Sequence, residues 1–329
     1  MRPNSWKLIA SAALAVAVMG STFAHAQTLR LAHGAAPSNP RHEAALRFAE
    51  LVEENTDGDV TVTVFPSGQL GDERQSLEAL ASGAIDFALA GTPLFAAYAP
   101  ELELLDMPYL FTDVNTAWEV LDGPLGAELT APLADSGFQV LAFWENGLRH
   151  ITNDVGPINT PADIDGLKLR VAGSRVRLAT FEAFGASPVP ISFSELYLAL
   201  SQGVVDGQEN PLANIHSARF AEVQRYLTLS GHVYGALPLA VASSTWEDLS
   251  EDHRAAIMAA AEAARDFHRQ RVQELEAELL AELEEAGMEV NAVEDSTPFQ
   301  DIAREVWGLY REQFGDEAVD HVIELAGAN

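Results

Sequence analysis

The chain has 329 residues, a formal net charge of −30 and no cysteine. Acidity of that degree excludes partners that need a basic face, nucleic acid and anionic membrane surfaces among them. The lack of cysteine excludes a disulfide framework and a thiol nucleophile, while the length suffices for one large domain or two ordinary ones with a real core.

At the N-terminus Arg2 and Lys7 flank the start of an apolar run, LIASAALAVAVMG, and STFAHA follows before Gln27. The positive start and the A-x-A end at Ala24, His25 and Ala26 predict a secretory signal over residues 1–26, cleaved after Ala26. Its core is short of the roughly 20 residues a membrane span needs. An exported chain without cysteine points to a bacterial periplasm.

From residue 28 strand-like and helical segments alternate. TLRLAHG reads as a strand running into a loop. PRHEAALRFAELVEENTDG reads as a helix with Ala45, Phe48, Ala49 and Val52 on one face and Gly58 to end it. DVTVTVFPSG alternates as a strand and closes in a turn. DERQSLEALASG is a helix with acids in its first turn, and AIDFALAG is a short buried strand. FQVLAFWENG and LKLRVAG are further strands, SRVRLATFEAFGA and SFSELYLALSQG are helices, and SPVPIS between them is extended. This alternation predicts an α/β fold with largely parallel sheets.

The longest signal begins at Ser250 and ends at Gly287, with Ile257, Ala261, Ala264, His268, Val272, Leu275, Leu279, Leu283 and Ala286 stepping by three or four. A helix of ~36 residues is about 54 Å long and outspans one small domain, so it is expected to bridge two. An internal echo supports two similar units. EALASGAID, 78–86, resembles LALSQGVVD, 198–206: each is a helix end, a glycine, two apolar residues and an acid.

Two α/β units with a cleft between them make a ligand trap, and ligands of open α/β sheets sit beyond the carboxyl ends of the strands. Arg170 lies near such an end. Its neighbours Leu167, Leu169 and Val171 alternate with it. The pattern leaves three places for Arg170: an exposed sheet face, a structural ion pair, or the cleft facing an anion.

The segments GLRHITN, TPADIDGLKLRV and LYLALSQGVVDGQENPLANI resemble the solute-binding proteins of tripartite ATP-independent periplasmic (TRAP) transporters, the DctP family. VFPSGQLGDE resembles the same family, as does GHVY followed by Trp246 and Leu249. The resemblance implies a two-lobed periplasmic-binding-protein fold with a ligand cleft and a long helix spanning both lobes. The expected division is 27–147 plus 236–275 for one lobe and 148–235 plus 276–329 for the other. It implies that Arg170 takes the ligand's carboxylate, Arg149 is a second cation and Asn210 bonds the same carboxylate. Phe193 covers the ligand, His33 and Thr92 contribute from the other lobe, and Trp144 is an apolar wall. The implied partners are a small organic acid, such as a diacid or a sugar acid, and the membrane permease. No cofactor, metal or nucleic acid is expected, and the protein is expected to be a monomer.

An enzyme is the competing class. The chain has no G-x-S-x-G, H-E-x-x-H or G-x-x-x-x-G-K-[ST] motif; HEAAL at 42–46 breaks the metal pattern at Leu46, and DIDG at 163–166 is too short for a calcium loop. A binding protein of an ATP-driven transporter is the nearer rival, and the LKLRV and DGQENP segments favour the TRAP family over it.

Overall fold

The structure is a computed structural model and describes residues 27–328; the expected signal sequence lies outside them. The strands are β1 (Gln27–His33), β2 (Val60–Phe65), β3 (Phe87–Leu89), β4 (Phe138–Leu148), β5 (His150–Asn153), β6 (Leu169–Val171), β7 (Val189–Pro190), β8 (Gly207–Asn210), β9 (Tyr226–Leu229), β10 (Tyr234–Ala242) and β11 (Glu289–Ala292). They form two sheets. The first has the order β2-β1-β3-β10-β4 and the second β11-β9-β5-β8-β6-β7.

Read from β2 and from β7, the two sheets repeat one plan. A parallel trio, β2-β1-β3 or β7-β6-β8, is followed by two strands in alternating antiparallel order, β10-β4 or β5-β9. The sequence echo lies at equivalent places in that plan. Gly83 and Gly203 end the helices Glu73–Ala81 and Phe193–Ser201 with positive φ of 71° and 65°. Asp86 and Asp206 then accept the backbone N–H of Arg30 and of Lys168, each at 2.8 Å. Each carboxylate thereby pins the middle strand of its parallel trio, within β1 at Arg30 and just before β6 at Lys168.

The lobes are joined by crossing strands. Only Arg149 separates β4 in the first sheet from β5 in the second, and the chain returns through the short link between β9 and β10. The two crossings touch where Arg149 N donates to Val233 O at 2.9 Å. A third tie is the helix Glu251–Glu285, whose N-cap Ser250 accepts from His253 N. Its first half buries Ile257, Ala260, Ala261 and Ala264 with Phe48, Phe87 and Trp144 of the first lobe. Its last turns bury Leu279 and Leu283 with Leu200, Ile215 and Phe220 of the second.

The C-terminal packing departs from the division expected for 276–329. Helix Thr297–Phe314 puts Phe299 and Ala303 among second-lobe residues such as Ile151 and Phe181, but Val306, Trp307 and Tyr310 join the first-lobe cluster. Helix Asp316–Ala326 adds Val319 and Val322 to that same cluster, with Leu102 and Phe111. The apolar face of each helix is buried where an unfilled apolar surface meets it, and the chain end therefore returns to the first lobe.

β5 and β8 approach so closely that a Cβ on Gly207 would lie 2.2 Å from the carbonyl oxygen of Thr152. Gly207→Ala is expected to lower the unfolding free energy by more than about 1 kcal/mol. Urea unfolding checks this, and an unchanged midpoint would contradict the close pairing.

Candidate ligand-binding cleft

Between the sheets lies a cavity of about 210 Å³, lined from the first lobe by Gly34, Asp72, Glu73, Arg74 and Leu94. From the second lobe come Arg170, Gly173, Ile191, Ser192, Phe193 and Ser194. It shares Glu73, Leu94, Arg170 and Phe193 with a narrower recess of about 50 Å³ that runs towards the crossing strands, lined by Arg41, Thr92, Asn146, Arg149, Arg177, Asn210 and Asn214. Across this floor Asn39 Nδ2 of the first lobe lies within 3.1 Å of Ala213 O, Asn214 Oδ1 and Ser217 Oγ of the second.

β6 is the middle strand of a parallel trio, so the backbone of Arg170 is fixed between Val189 of β7 and Gln208 of β8. The side chain is 4 % exposed. Its Nε donates to Ile191 O at 2.8 Å, and it makes no ion pair among the described residues. With Nε held, the orientation of the fork is set. Burial pushes the Arg170 guanidinium down to about 10, against the attraction of Glu209, and it remains charged at neutral pH.

Arg149, expected as a second ligand cation, also has a protein partner of its own. It lines the recess, but its Nε and Nη2 both bond the Glu209 carboxylate, and Nη2 also reaches Asn210 Oδ1 at 3.2 Å. Glu209 further meets Arg177 at 3.3 Å and His232 at 3.4 Å, and Arg177 pairs with Asp106. Burial alone would raise the Glu209 carboxyl; Arg149 and Arg177 overcome it and hold the group well below the usual carboxylate range. Two arginines and two carboxylates thus form a closed, neutral group.

Asn210 is buried at the end of β8 and lines the recess, accepting also from Asn214 Nδ2 at 3.1 Å. Phe193 lines both cavities and is backed edge-on by Phe220, with ring centroids 6.0 Å apart. Thr92 lines the recess, and its buried hydroxyl has no hydrogen-bond partner among the described residues. The cleft therefore gathers Arg170, Arg149, Asn210, Phe193 and Thr92.

His33 and Trp144 are not among the residues lining either cavity. Trp144 is wholly buried under the long helix, donating to Ala261 O at 3.2 Å and packing against Phe48. The Nε2 of His33 faces His42 Nδ1 at 3.1 Å, and burial, with Arg41 nearby, holds its imidazole at about 3, so the ring is neutral.

Several cleft residues carried no role in the sequence reading. Glu73 is one, ion-paired to Arg41 at 2.8 Å; Arg41 in turn donates to Asn146 Oδ1 at 2.9 Å. Asn146 reaches the cleft because the register of β4 against β10 slips there: Glu145 faces Ala236 and Gly147 faces Gly235, leaving Asn146 as the extra residue. The sequence signal for Glu73 was its position in GDER, where it served only as an acid in a helix's first turn. Among the described residues no group of three or more histidines and acids is arranged to hold a metal ion.

The profile of the DctP family, bacterial extracellular solute-binding protein family 7, matches residues 31–313, and the chain belongs to this family. It is 37 % identical over 276 residues to the 2,3-diketo-L-gulonate-binding periplasmic protein of Escherichia coli K12, covering 84 % of each chain. It is 32 % identical to the C4-dicarboxylate-binding periplasmic protein of Rhodobacter capsulatus, covering 95 % of each. Among solved structures it resembles the sugar acid binding protein of Advenella mimigardefordensis in complex with galactonate, with TM-score 0.89, 35 % identity and 92 % and 98 % of the two chains covered. The fold is the two-lobed one of TRAP solute-binding proteins.

Removing one member of a buried ion pair costs about 3–5 kcal/mol, because the partner charge is left unanswered. Glu209→Gln is expected to lose stability of that order. Since the folded carboxyl titrates below its unfolded value, its contribution is present above about pH 4.3 and is lost as the pH falls further. Urea unfolding at a series of pH values should show a steeper acid loss in the unmodified protein than in the variant; parallel curves would contradict the pairing.

Proposed function

We propose that this chain captures a hydroxylated monocarboxylate, an aldonate or uronate of about sugar size, in the periplasm and delivers it to a TRAP permease. The observation that carries the reading is the buried guanidinium of Arg170, set in the inter-lobe cavity with no carboxylate ion-paired to it among the described residues. Keeping an ion out of water costs several kcal/mol, and a ligand carboxylate on the planar fork repays it through two parallel hydrogen bonds.

Charge counting supports a single carboxylate. Arg41, Arg74, Arg149, Arg170 and Arg177 line the cavities. Asp72 and Glu73 line them too, and Glu209 and Asp106 stand behind as ion-pair partners of Arg149 and Arg177. Five cations against four anions leave one positive charge. A monoanion neutralises it. A diacid would bring a second charge towards Glu73 and Asp72, and two like charges 4 Å apart repel by about 4 kcal/mol at a protein-surface dielectric. This charge count leaves Arg149 no free charge for a diacid.

The remaining wall suits hydroxyls. Glu73, Ser192, Ser194 and Thr92 offer acceptors and donors around Phe193, whose ring supplies an apolar face. A cavity of 210 Å³ is below the range for drug-sized ligands and fits a small metabolite. The names of the Escherichia coli and Advenella relatives agree with such an acid, and the Escherichia coli relative is periplasmic by name. The Rhodobacter relative's name is that of a diacid binder, so family membership alone does not choose between them. Closure favours the loaded form because the ligand contacts both lobes only there.

The test is calorimetric. Thermal-shift screening of aldonates, uronates and C4-diacids selects the tightest ligand, which is then titrated into the unmodified protein and Arg170→Ala. The variant should lose about 2–5 kcal/mol, a factor of roughly 30 to several thousand. Arg170→Lys should fall on the same side, because an ammonium lacks the fork. Near-unchanged affinity in Arg170→Ala would sink the assignment.

A further inference from the structure

Gly173 stands two residues beyond β6, at the rim of the inter-lobe cavity. Its φ is outside the left-handed region, so no turn there requires glycine. Space does: a Cβ on Gly173 would lie 2.9 Å from a terminal guanidinium nitrogen of Arg74. Arg74 belongs to the opposite lobe, as the second residue of helix Glu73–Ala81. Its side chain lines the same cavity as Arg170, is exposed at its rim, and makes no ion pair among the described residues. A cationic arm of the first lobe therefore lies on bare backbone of the second, over the mouth of the site.

We propose that Arg74 is the latch of the closed form: it seats on Gly173 only when the lobes have closed, and it holds a bound anion in by covering the mouth and adding a cation from the lobe opposite Arg170. The proposal rests on the anion-binding reading above. Two cations facing one cavity from opposite lobes repel until an anion lies between them, so the latch engages when the cleft is loaded. A residue of this kind acts on escape. It is not part of the buried floor that first receives the carboxylate, so its loss should appear in the off-rate and leave the on-rate nearly unchanged.

Gly173 makes the latch testable without touching the floor. The atom a Cβ would meet is the far end of a flexible side chain, so Gly173→Ala displaces the arm and spares the backbone. The chain has no cysteine, so Glu128→Cys in the first lobe and Glu182→Cys in the second, both exposed, can carry a donor and acceptor dye cleanly. Reopening is then followed by stopped-flow energy transfer on chasing out D-galactonate. Arg74→Ala is expected to speed reopening about tenfold with closing rates within about twofold. Gly173→Ala should act in the same direction, and in the Arg74→Ala background it should add nothing, since the two residues form one contact. Melting temperatures should stay unchanged in all three variants. Off-rates unchanged in Arg74→Ala, or a Gly173→Ala effect that persists without Arg74, would overturn the latch while leaving the anion reading intact. Failure of D-galactonate to bind the unmodified protein, with D-glucuronate, D-erythronate and succinate also silent, would overturn both.

Discussion

Arg170 is a positive charge kept out of water with no carboxylate ion-paired to it among the described residues, and much of the surrounding structure serves to make that possible. Its strand is the middle of a parallel trio, its Nε is tied to Ile191 O, and the other buried arginines have their own acids. If Arg149 or Arg177 were left unpaired, the recess would hold several cations and would repel the fork from its place. Because Glu209 and Asp106 neutralise them, one buried charge remains unpaired among the described residues, at the end of the strand where a ligand can reach it. The cost of that charge in the empty form becomes selectivity in the loaded one.

This local positive charge sits in a protein whose net charge is −30. The two facts are compatible because they act over different distances. Charges on exposed surfaces are screened beyond about 8 Å at physiological salt. A closed cleft excludes the salt and water that screen, so a fork in contact with its carboxylate outweighs a diffuse field. The exposed acids are spread over the outer faces of helices such as Glu251–Glu285, whose buried side is mostly apolar, with His268 and Arg269 at its middle.

The elements whose periodicity is strong were legible in the sequence: β1, β2, the helices after each, and the long helix with its serine cap. So was the repeat of the lobes, because the glycine and the aspartate in each copy do the same two jobs, ending a helix and pinning a strand. Partners distant in sequence were not legible. Arg149 and Glu209 are 60 residues apart, Arg177 and Asp106 are 71, and no local pattern joins them. The pairing of Arg149 in GLRH with a distant acid therefore leaves no mark in the sequence around it. Trp144 and His33 are expected at the cleft from the resemblance alone; the structure packs both side chains within the first lobe. The return of the C-terminal helices to the first lobe depends on which surface is left unfilled, and that is a property of the assembled fold.

The central claim is that the cleft's net single positive charge, centred on buried Arg170, selects a ligand with one carboxylate. It is tested most directly by three ligands that share a carbon skeleton and differ in charge: galactose, galactonate and galactarate, neutral, singly and doubly charged. Isothermal titration of all three into the unmodified protein at neutral pH should give binding to galactonate, with galactose and galactarate each weaker by at least tenfold, or about 1.4 kcal/mol. Galactarate binding as tightly as galactonate, or galactose binding tighter than both, would contradict it.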